Sequence, residues 1–305
     1  MKNLKKMLLI FNPHAGTQKF PPQLFDVVDR FNAAGYLVTA YASQQVGDVS
    51  TMITEYASGY DCLVCSGGDG TIAEAVGALM NVEKPPRLGI IPSGTVNDFS
   101  ASLGIPTDIM AAADIIVSAG SHLIDIGRFG SAYFTYVAAF GKFTDVPYTT
   151  PQSVKNIFGK LAYFLEGVKQ AGTMEAVRCD FVLDGERISG DFLLGIVANA
   201  HSIAGYKLPQ EMDVQIDDGY FEVILIHMPS SLLEIPKILS MLVTQEIKED
   251  VMIFRKARSI EISAEYPIAW TLDGDYGGEH TYVFIENLNQ AATVIYDYTS
   301  QAEGI

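Results

Sequence analysis

Short apolar runs of strand length alternate with amphipathic runs from Met7 to about Asp125. The apolar runs are Met7–Phe11, Leu37–Ala42, Asp61–Cys65 and Arg87–Ile91, and segments with apolar residues at helical spacing follow them, for example Pro22–Asn32. Strand–helix alternation of this kind predicts a parallel sheet with helices on both faces. We therefore expect an N-terminal doubly wound α/β domain of three layers over residues 1–127.

The pattern changes near Asp125, and strand-like runs dominate from Arg128 onward. They are Tyr133–Phe140, Val177–Leu183, Phe192–Ala200, Phe221–His227, Ser259–Ser263, Ile268–Leu272 and Tyr282–Glu286. Two helical segments, Val154–Gln170 and Ser230–Val243, interrupt them. This pattern predicts a second, β-rich and mostly antiparallel domain over residues 128–291. The last run, Ala292–Tyr298, either finishes this domain or returns to the first with the rest of residues 292–305, and the sequence leaves both readings open.

The composition excludes several classes of protein. The 305 residues include 20 basic and 36 acidic ones, which gives a formal net charge of −16. Apolar residues make up 49% of the chain. A chain this apolar can bury large cores, so general disorder is excluded. The acidic surplus argues against a nucleic-acid partner and against attachment to an anionic membrane by charge alone. No apolar run reaches the about 20 residues of a spanning helix, and three cysteines fit a reducing compartment, so we expect a cytoplasmic protein.

Three glycine-containing turns directly follow predicted strands of the first domain. They are Asn12–Thr17, Gly67–Thr71 and Gly94–Asp98, and they match neither a G-x-x-x-x-G-K-S/T loop nor a strand-borne G-x-G-x-x-G. In an open parallel sheet, ligands bind outside the carboxyl ends of the strands, where glycines let the backbone approach a phosphate. A single turn of this kind is usually ordinary turn chemistry. Three of them, with Asp69 placed to act through Mg²⁺ or to orient phosphates, predict a nucleotide site.

The motifs taken together are specific. Asn-Pro-x-x-Gly at residues 12–16, Gly-Gly-Asp-Gly-Thr at 67–71 and Gly-Thr-x-Asn-Asp-Phe at 94–99 resemble the diacylglycerol kinase catalytic domain family, and more narrowly its soluble bacterial members. Motifs at 125–127, 217–220 and 273–278 extend the resemblance nearly from end to end. It implies an α/β nucleotide domain of the NAD kinase/diacylglycerol kinase type, a β-rich sandwich as the second domain, and an active site in the cleft between them. It also implies transfer of the γ-phosphate of ATP to a lipid hydroxyl.

The resemblance also implies roles for individual residues. The nucleotide site would be lined by Asn12, Pro13, His14, Ala15, Gly16, Ser43, Gly67, Gly68, Asp69, Gly70, Thr71, Gly94, Thr95 and Asn97. Asp273 would be the catalytic base, Asp275 would stand at the position of the motif's Glu, and both could share Mg²⁺ with Asp69. A structural Mg²⁺ would be held by the Gln215 side chain, Asp218 and the Tyr220 carbonyl. Each acidic motif also fits a plain turn, because Asp-Gly is a common hairpin signal.

The sequence departs from the family's pattern at four positions. Thr17 replaces a common Lys, Ala73 an Asn, Ala101 an Arg and Asp275 the Glu of the motif. Phosphate groups usually need cationic neighbours, and Asp reaches less far than Glu. Beside a kinase for diacylglycerol or a related lipid alcohol, we therefore keep two alternatives. One is an NAD-kinase-like enzyme acting on a soluble hydroxyl, and the other is a weakly active or inactive regulatory protein that binds nucleotide and lipid.

A lipid substrate requires contact with a membrane surface. The segment Val154–Gln170 places Ile157, Leu161, Phe164 and Val168 on one face with lysines around it. This pattern fits an interfacial helix or a helix packed on the second domain. Because the net charge is −16, we expect attachment to an anionic membrane to be transient. A homodimer is left open.

Overall fold

The chain divides into two compact units. A computed structural model of the protein describes residues 4–141, 165, 176–203, 206–244 and 247–298. Unit 1 consists of Met1–Ile126 and Gln290–Ile305, and unit 2 of Gly127–Asn289. The C-terminal run of the chain is thus part of unit 1.

Unit 1 alternates strands and helices along the chain. Its elements are β1 (Lys5–Phe11), α1 (Leu24–Ala33), β2 (Tyr36–Ala42), α2 (Asp48–Tyr56), β3 (Cys62–Gly67), α3 (Asp69–Leu79), β4 (Arg87–Pro92), α4 (Asp98–Ser102), α5 (Ile109–Ser118) and the start of β5 (Ser121–Phe129). Single 3₁₀ turns at Pro21–Gln23 and Ala57–Gly59 precede α1 and follow α2. This succession of elements is the predicted strand–helix alternation.

The sheet of unit 1 is parallel, with β2, β1, β3 and β4 in that order. Met7–Ile10 of β1 and Cys62–Cys65 of β3 are completely buried, as expected for strands covered on both faces. Helix α1 packs against α5, and α2 packs against α3. Ile72, Ala75, Val76 and Leu79 form the buried stripe of α3, at helical spacing. The doubly wound α/β class predicted for this part of the chain is confirmed.

Unit 2 consists almost entirely of strands. Its elements are the end of β5, β6 (Ala132–Phe134), β7 (Val137–Gly141), β8 (Val177–Leu183), β9 (Glu186–Ala198), β10 (Ser202–Ile203), β11 (Tyr206–Lys207), β12 (Phe221–His227), α6 (Ile235–Thr244), β13 (Met252–Ala257), β14 (Ser259–Leu272) and β15 (Asp275–Ile295), whose last residues lie in unit 1. Single 3₁₀ turns occur at Gln210–Met212 and Leu232–Glu234.

The strands of unit 2 pair antiparallel. The order is β13, β12, β9, β7, β14 and β15, and β8 pairs with both β9 and β14. Strand β5 pairs with β15 and with β6. Aromatic rings fill the core, where Trp270 lies 5.1 Å from Phe129 and 4.9 Å from Phe140 between ring centroids. The predicted β-rich antiparallel class is confirmed.

Two strands are longer than the sequence pattern indicated. The predicted runs Ser259–Ser263 and Ile268–Leu272 are parts of one strand, β14, whose pairing with β15 shifts register between them. The predicted run Tyr282–Glu286 and the first part of the predicted run Ala292–Tyr298 likewise join in β15, which ends at Ile295. Polar residues between the apolar runs hid this continuity, because an exposed stretch of strand carries no apolar alternation.

The predicted helix Val154–Gln170 lies outside the described residues except for Leu165, which is helical and buried. The question of whether this segment is interfacial therefore stays a prediction. Among the residues that the structure describes, no helix combines the length and the apolar character needed to cross a bilayer.

Gly195 provides a test of the unit 2 core. It lies opposite Phe140 in the β7–β9 pair, and a Cβ at this position would overlap the Phe140 ring. We expect Gly195→Ala to lower the free energy of unfolding by about 1–3 kcal/mol because the ring must move. Urea denaturation followed by circular dichroism measures the change.

Gly59→Ala is the matched control for this substitution. A Cβ on Gly59 would meet no heavy atom within 4 Å, and its backbone is not in the left-handed region. We expect this variant to unfold at the wild-type urea concentration. Equal midpoints for both variants would contradict the overpacking argument.

Candidate active site

The three glycine turns of unit 1 lie against one another. They follow β1, β3 and β4, which are neighbouring parallel strands, so their carboxyl ends share one edge of the sheet. A Cβ on Gly94 would overlap the Gly68 Cα, and a Cβ on Gly16 would lie 2.5 Å from the Ser93 carbonyl oxygen. Gly16 also has a φ of +52°. Glycine is required here because backbone touches backbone.

Two asparagines fix the shapes of the outer turns. Asn12 Oδ1 accepts a hydrogen bond from the His14 N–H at 2.9 Å. Asn97 has a φ of +61°, its Oδ1 accepts from the Gly94 N–H at 2.9 Å, and its Nδ2 donates to the Gly94 carbonyl at 3.2 Å. Both side chains therefore shape their own turns.

The other predicted nucleotide contacts differ in exposure. His14, Gly16, Gly70 and Thr95 are exposed at the turns, whereas Pro13, Ala15, Gly68 and Thr71 are half-buried. Ser43 is buried at the end of β2, and its N–H donates to the Phe11 carbonyl of β1. All predicted nucleotide residues thus belong to unit 1 and lie at or next to the carboxyl ends of its strands.

Asp69 joins the central turn to the helix after β4. Its Oδ2 accepts from the Asn97 N–H at 2.9 Å and its Oδ1 from the Phe99 N–H at 3.2 Å, at the N-terminus of α4. Burial raises the pKa of this carboxyl, and the backbone hydrogen bonds oppose that rise. A carboxylate has about four lone-pair positions, so Asp69 keeps acceptor capacity for a metal ion or a water molecule.

Sequence reasoning missed a pair of buried hydroxyl groups beneath these turns. Ser66 Oγ donates to Ser93 Oγ at 3.1 Å, and the two residues lie at the ends of β3 and β4. Glu74, another residue without an assigned role, accepts from the Ser50 N–H in the first turn of α2. Only the position of the two serines just before Gly67 and Gly94 could have signalled their proximity.

Asp273 of unit 2 lies in the hairpin turn between β14 and β15, buried and with a φ of +51°. Its carboxylate accepts four hydrogen bonds, from the backbone N–H groups of Thr135 (2.6 Å), Tyr136 (3.0 Å) and Val137 (3.0 Å) and from the hydroxyl of Thr135 (2.9 Å). Burial raises its pKa to about 6, and the hydrogen bonds act in the opposite direction. This carboxylate anchors residues 135–137 to the turn.

Asp275 differs from Asp273 in its exposure. It is exposed at the start of β15, directly opposite Leu272 in the hairpin. The turn therefore presents one carboxylate to solvent and keeps the other inside. Sequence reasoning found the pair but assigned no anchoring role to Asp273, because its partners lie more than 130 residues away along the chain.

The loop predicted to hold a structural Mg²⁺ is organised by other contacts. Asp218 Oδ1 accepts from the Tyr220 N–H at 2.9 Å, and Asp218 Oδ2 lies 3.3 Å from Lys256 Nζ. Gln215 Nε2 donates to Asp213 Oδ1 at 3.4 Å. Within the described part of the chain, no group of three or more His, Cys, Asp and Glu side chains is arranged to hold a metal ion.

Glu222 lies close to this loop and was missed by sequence reasoning. It is completely buried on β12, and neither of its carboxylate oxygens has a hydrogen-bond partner among the described residues. Lys256 Nζ lies 3.6 Å from its Oε1. Burial raises the pKa of Glu222 to about 8, with Lys256 acting in the opposite direction.

Comparison with known proteins identifies the family. Residues 6–129 match the diacylglycerol kinase catalytic domain, and residues 147–295 match the YegS C-terminal NAD kinase beta sandwich-like domain. Diacylglycerol kinases of Staphylococcus aureus strains MRSA252 and Newman are 38% identical over 280 residues, covering 90% of this chain and 87% of theirs. The chain belongs to the diacylglycerol kinase family.

Solved structures agree with this membership. A diacylglycerol kinase from Bacillus anthracis str. Sterne superimposes with a TM-score of 0.78 at 26% identity, covering 98% of this chain and 100% of that one. The predicted β-sandwich class of the second domain is confirmed by the family match. For a diacylglycerol kinase, the phosphoryl donor is ATP.

Gly94 tests whether the glycine turns of this chain form the ATP site. Gly94→Ala would force the turns apart, because its Cβ overlaps the Gly68 Cα. We expect at least about a tenfold loss of ATP affinity, equivalent to about 1.4 kcal/mol, in isothermal titration calorimetry. Gly59→Ala should bind ATP as the wild type does, and unchanged affinity of Gly94→Ala would contradict the assignment.

Proposed function

We propose that this protein is an ATP- and Mg²⁺-dependent lipid kinase that transfers the γ-phosphate of ATP to the hydroxyl group of diacylglycerol or a related lipid alcohol. One observation carries the proposal: three glycine turns in backbone contact at the carboxyl edge of a parallel sheet, in a chain of the diacylglycerol kinase family. Such an edge suits phosphate binding, because backbone N–H groups and the N-terminus of α3 attract anions.

The nucleotide site that we propose relies on amides more than on cationic side chains. Thr17 and Ala101 stand where the family pattern has Lys and Arg. Mg²⁺ on the ATP phosphates would neutralise part of their charge. Asp69 is the carboxylate of unit 1 that we assign to this ion, since its two backbone hydrogen bonds leave lone pairs unused.

We assign proton acceptance to Asp275, whereas the sequence alone suggested Asp273. A general base must reach the hydroxyl proton of the substrate. Asp273 is buried and already accepts four hydrogen bonds, while Asp275 in the same turn is exposed. Asp273 is then a positioning residue, which fixes the turn that carries Asp275. The expectation that Asp69 and Asp273 share one cleft stays a prediction.

Substitutions at the two aspartates distinguish these roles. Asp275→Asn should lower kcat by about 10²–10⁴-fold, because the general base is lost. Its thermal unfolding temperature should stay at the wild-type value, since the side chain is exposed. Asp273→Asn should lower the free energy of unfolding by about 1–3 kcal/mol, because an amide NH₂ would face backbone N–H groups.

Asp275→Glu is the matched control, and it restores the residue of the family motif. We expect it to keep kcat within about tenfold of the wild type, because a carboxylate is retained. A fully active Asp275→Asn would overturn the assignment. So would an Asp273→Asn variant that unfolds at the wild-type temperature and lacks turnover, because Asp273 would then be the base.

A phosphorylation assay tests the proposed activity itself. The protein is incubated with Mg²⁺, γ-labelled ATP and mixed micelles that contain diacylglycerol or other lipid alcohols, with NAD in a parallel reaction. We expect a labelled lipid phosphate, no labelled NADP, and loss of product in excess EDTA. Labelled NADP alone would favour the soluble-substrate kinase.

ATP binding without turnover on any substrate would favour the regulatory alternative. Thr17, Ala73 and Ala101 are the residues that keep this alternative open, because the family pattern has polar or cationic residues there. Contact with the lipid surface is expected to be transient, since the net charge is −16. The homodimer left open by the sequence stays a prediction.

A further inference from the structure

Lys256 reaches into the acidic loop of unit 2 and contacts three different acceptors. We propose that its ammonium group is the resident cation of this loop, so that the chain holds residues 213–222 together without a bound Mg²⁺. The proposal concerns a structural element and is independent of the proposed kinase activity. It also differs from the expectation drawn from the sequence, in which Gln215, Asp218 and Tyr220 share a metal ion.

The position of the ammonium group is the first argument. Lys256 Nζ donates to the Asp213 carbonyl at 2.5 Å, lies 3.3 Å from Asp218 Oδ2 and lies 3.6 Å from Glu222 Oε1. An ammonium group has three N–H donors, which matches the number of acceptors. The ammonium group thus lies among a carbonyl and two carboxyl groups, which are oxygen acceptors of the kind that bind cations.

The strand register brings Lys256 and Glu222 together. Lys256 on β13 and Glu222 on β12 are directly opposite each other in the antiparallel pair. Because side chains opposite each other share one face of the sheet, Lys256 lies beside Glu222, and its ammonium group also reaches the Asp213 carbonyl of the loop. Glu222 is completely buried and makes no hydrogen bond within the described residues, so Lys256 is its charge partner. Burying a carboxyl group without a charge partner would lower the free energy of unfolding.

Competition with a metal ion is the second argument. Mg²⁺ prefers octahedral oxygen ligands at about 2.0–2.1 Å and gives up its water reluctantly. Of the three predicted ligands, Asp218 already accepts from the ammonium group with Oδ2 and from the Tyr220 N–H with Oδ1. The lysine is attached to the sheet and has only side-chain freedom to lose, whereas the ion must be captured from solution.

A second cation already lies beside the same loop. Arg258 comes two residues after Lys256, and its guanidinium lies 4.3 Å from the centroid of the Tyr220 ring. A cation over an aromatic face is attracted to it. Both positive groups come from the β13–β14 stretch. Side chains of the protein itself therefore hold the loop from this direction.

Metal binding to the nucleotide-free protein tests the proposal. Mn²⁺ titration followed by electron paramagnetic resonance is compared between the wild type and Asp218→Asn. We expect both proteins to bind the same amount of Mn²⁺, because ions held elsewhere do not depend on Asp218. A wild-type site that is lost in Asp218→Asn would overturn the proposal.

Thermal unfolding tests the role of the lysine. Lys256→Met keeps a long apolar stem and removes the charge, and we expect it to unfold about 5–15 °C below the wild type. Lys237→Met is the matched control, because it removes an exposed pair with Asp250. We expect that variant to unfold within about 3 °C of the wild type. A Lys256→Met variant as stable as Lys237→Met would overturn the proposal.

Lys256→Arg keeps the test decisive if Lys256→Met does not fold. Arginine retains the charge, so this variant should fold and unfold closer to the wild-type temperature than Lys256→Gln. Equal unfolding temperatures for the arginine and glutamine variants would show that the positive charge is not needed, and would overturn the proposal. Since no ATP is present and no turnover is measured, failure of the kinase assay would leave these results unaffected.

Discussion

Backbone contact between the glycine turns is the constraint on which the rest of unit 1 depends. Strands β1, β3 and β4 bring the turns to one sheet edge, and Gly94 then lies so close to Gly68 that a Cβ on Gly94 would overlap the Gly68 Cα. A site of this kind recognises the shape and charge of phosphates, and its performance depends on strand register more than on any single side chain.

Carboxylates serve as backbone anchors in both units. Asp69 binds the N-terminus of α4, and Asp273 binds three consecutive N–H groups of residues 135–137. Each joins a turn to a segment far away in sequence. Charged acceptors make strong hydrogen bonds to N–H groups, so a buried Asp fixes a loop that has little apolar surface. An acidic residue in a family motif is therefore not always a reacting group, and in one turn the anchor and the exposed carboxylate lie two residues apart.

The sequence was sufficient for much of the fold. Strands such as β1 and β3 are uninterrupted apolar runs, and α3 has its apolar residues at helical spacing, so periodicity identified them. Motifs placed the glycine turns and Asp273–Asp275. Long-range partners could not be predicted, because nothing near Asp273 indicates that Thr135 will donate to it. The pairing of Glu222 with Lys256 was hidden for the same reason, since register between β12 and β13 is a property of the folded sheet.

The return of the chain to unit 1 determines when that unit can be complete. In the last part of β15, Val294 pairs in parallel with Leu88 of β4, and Tyr296 is buried beside His122. A ribosome must therefore make all of unit 2 before the sheet that begins with β1 gains this strand. The nascent protein holds an unfinished sheet edge throughout synthesis of unit 2, and translation that stops early leaves β4 without this neighbour.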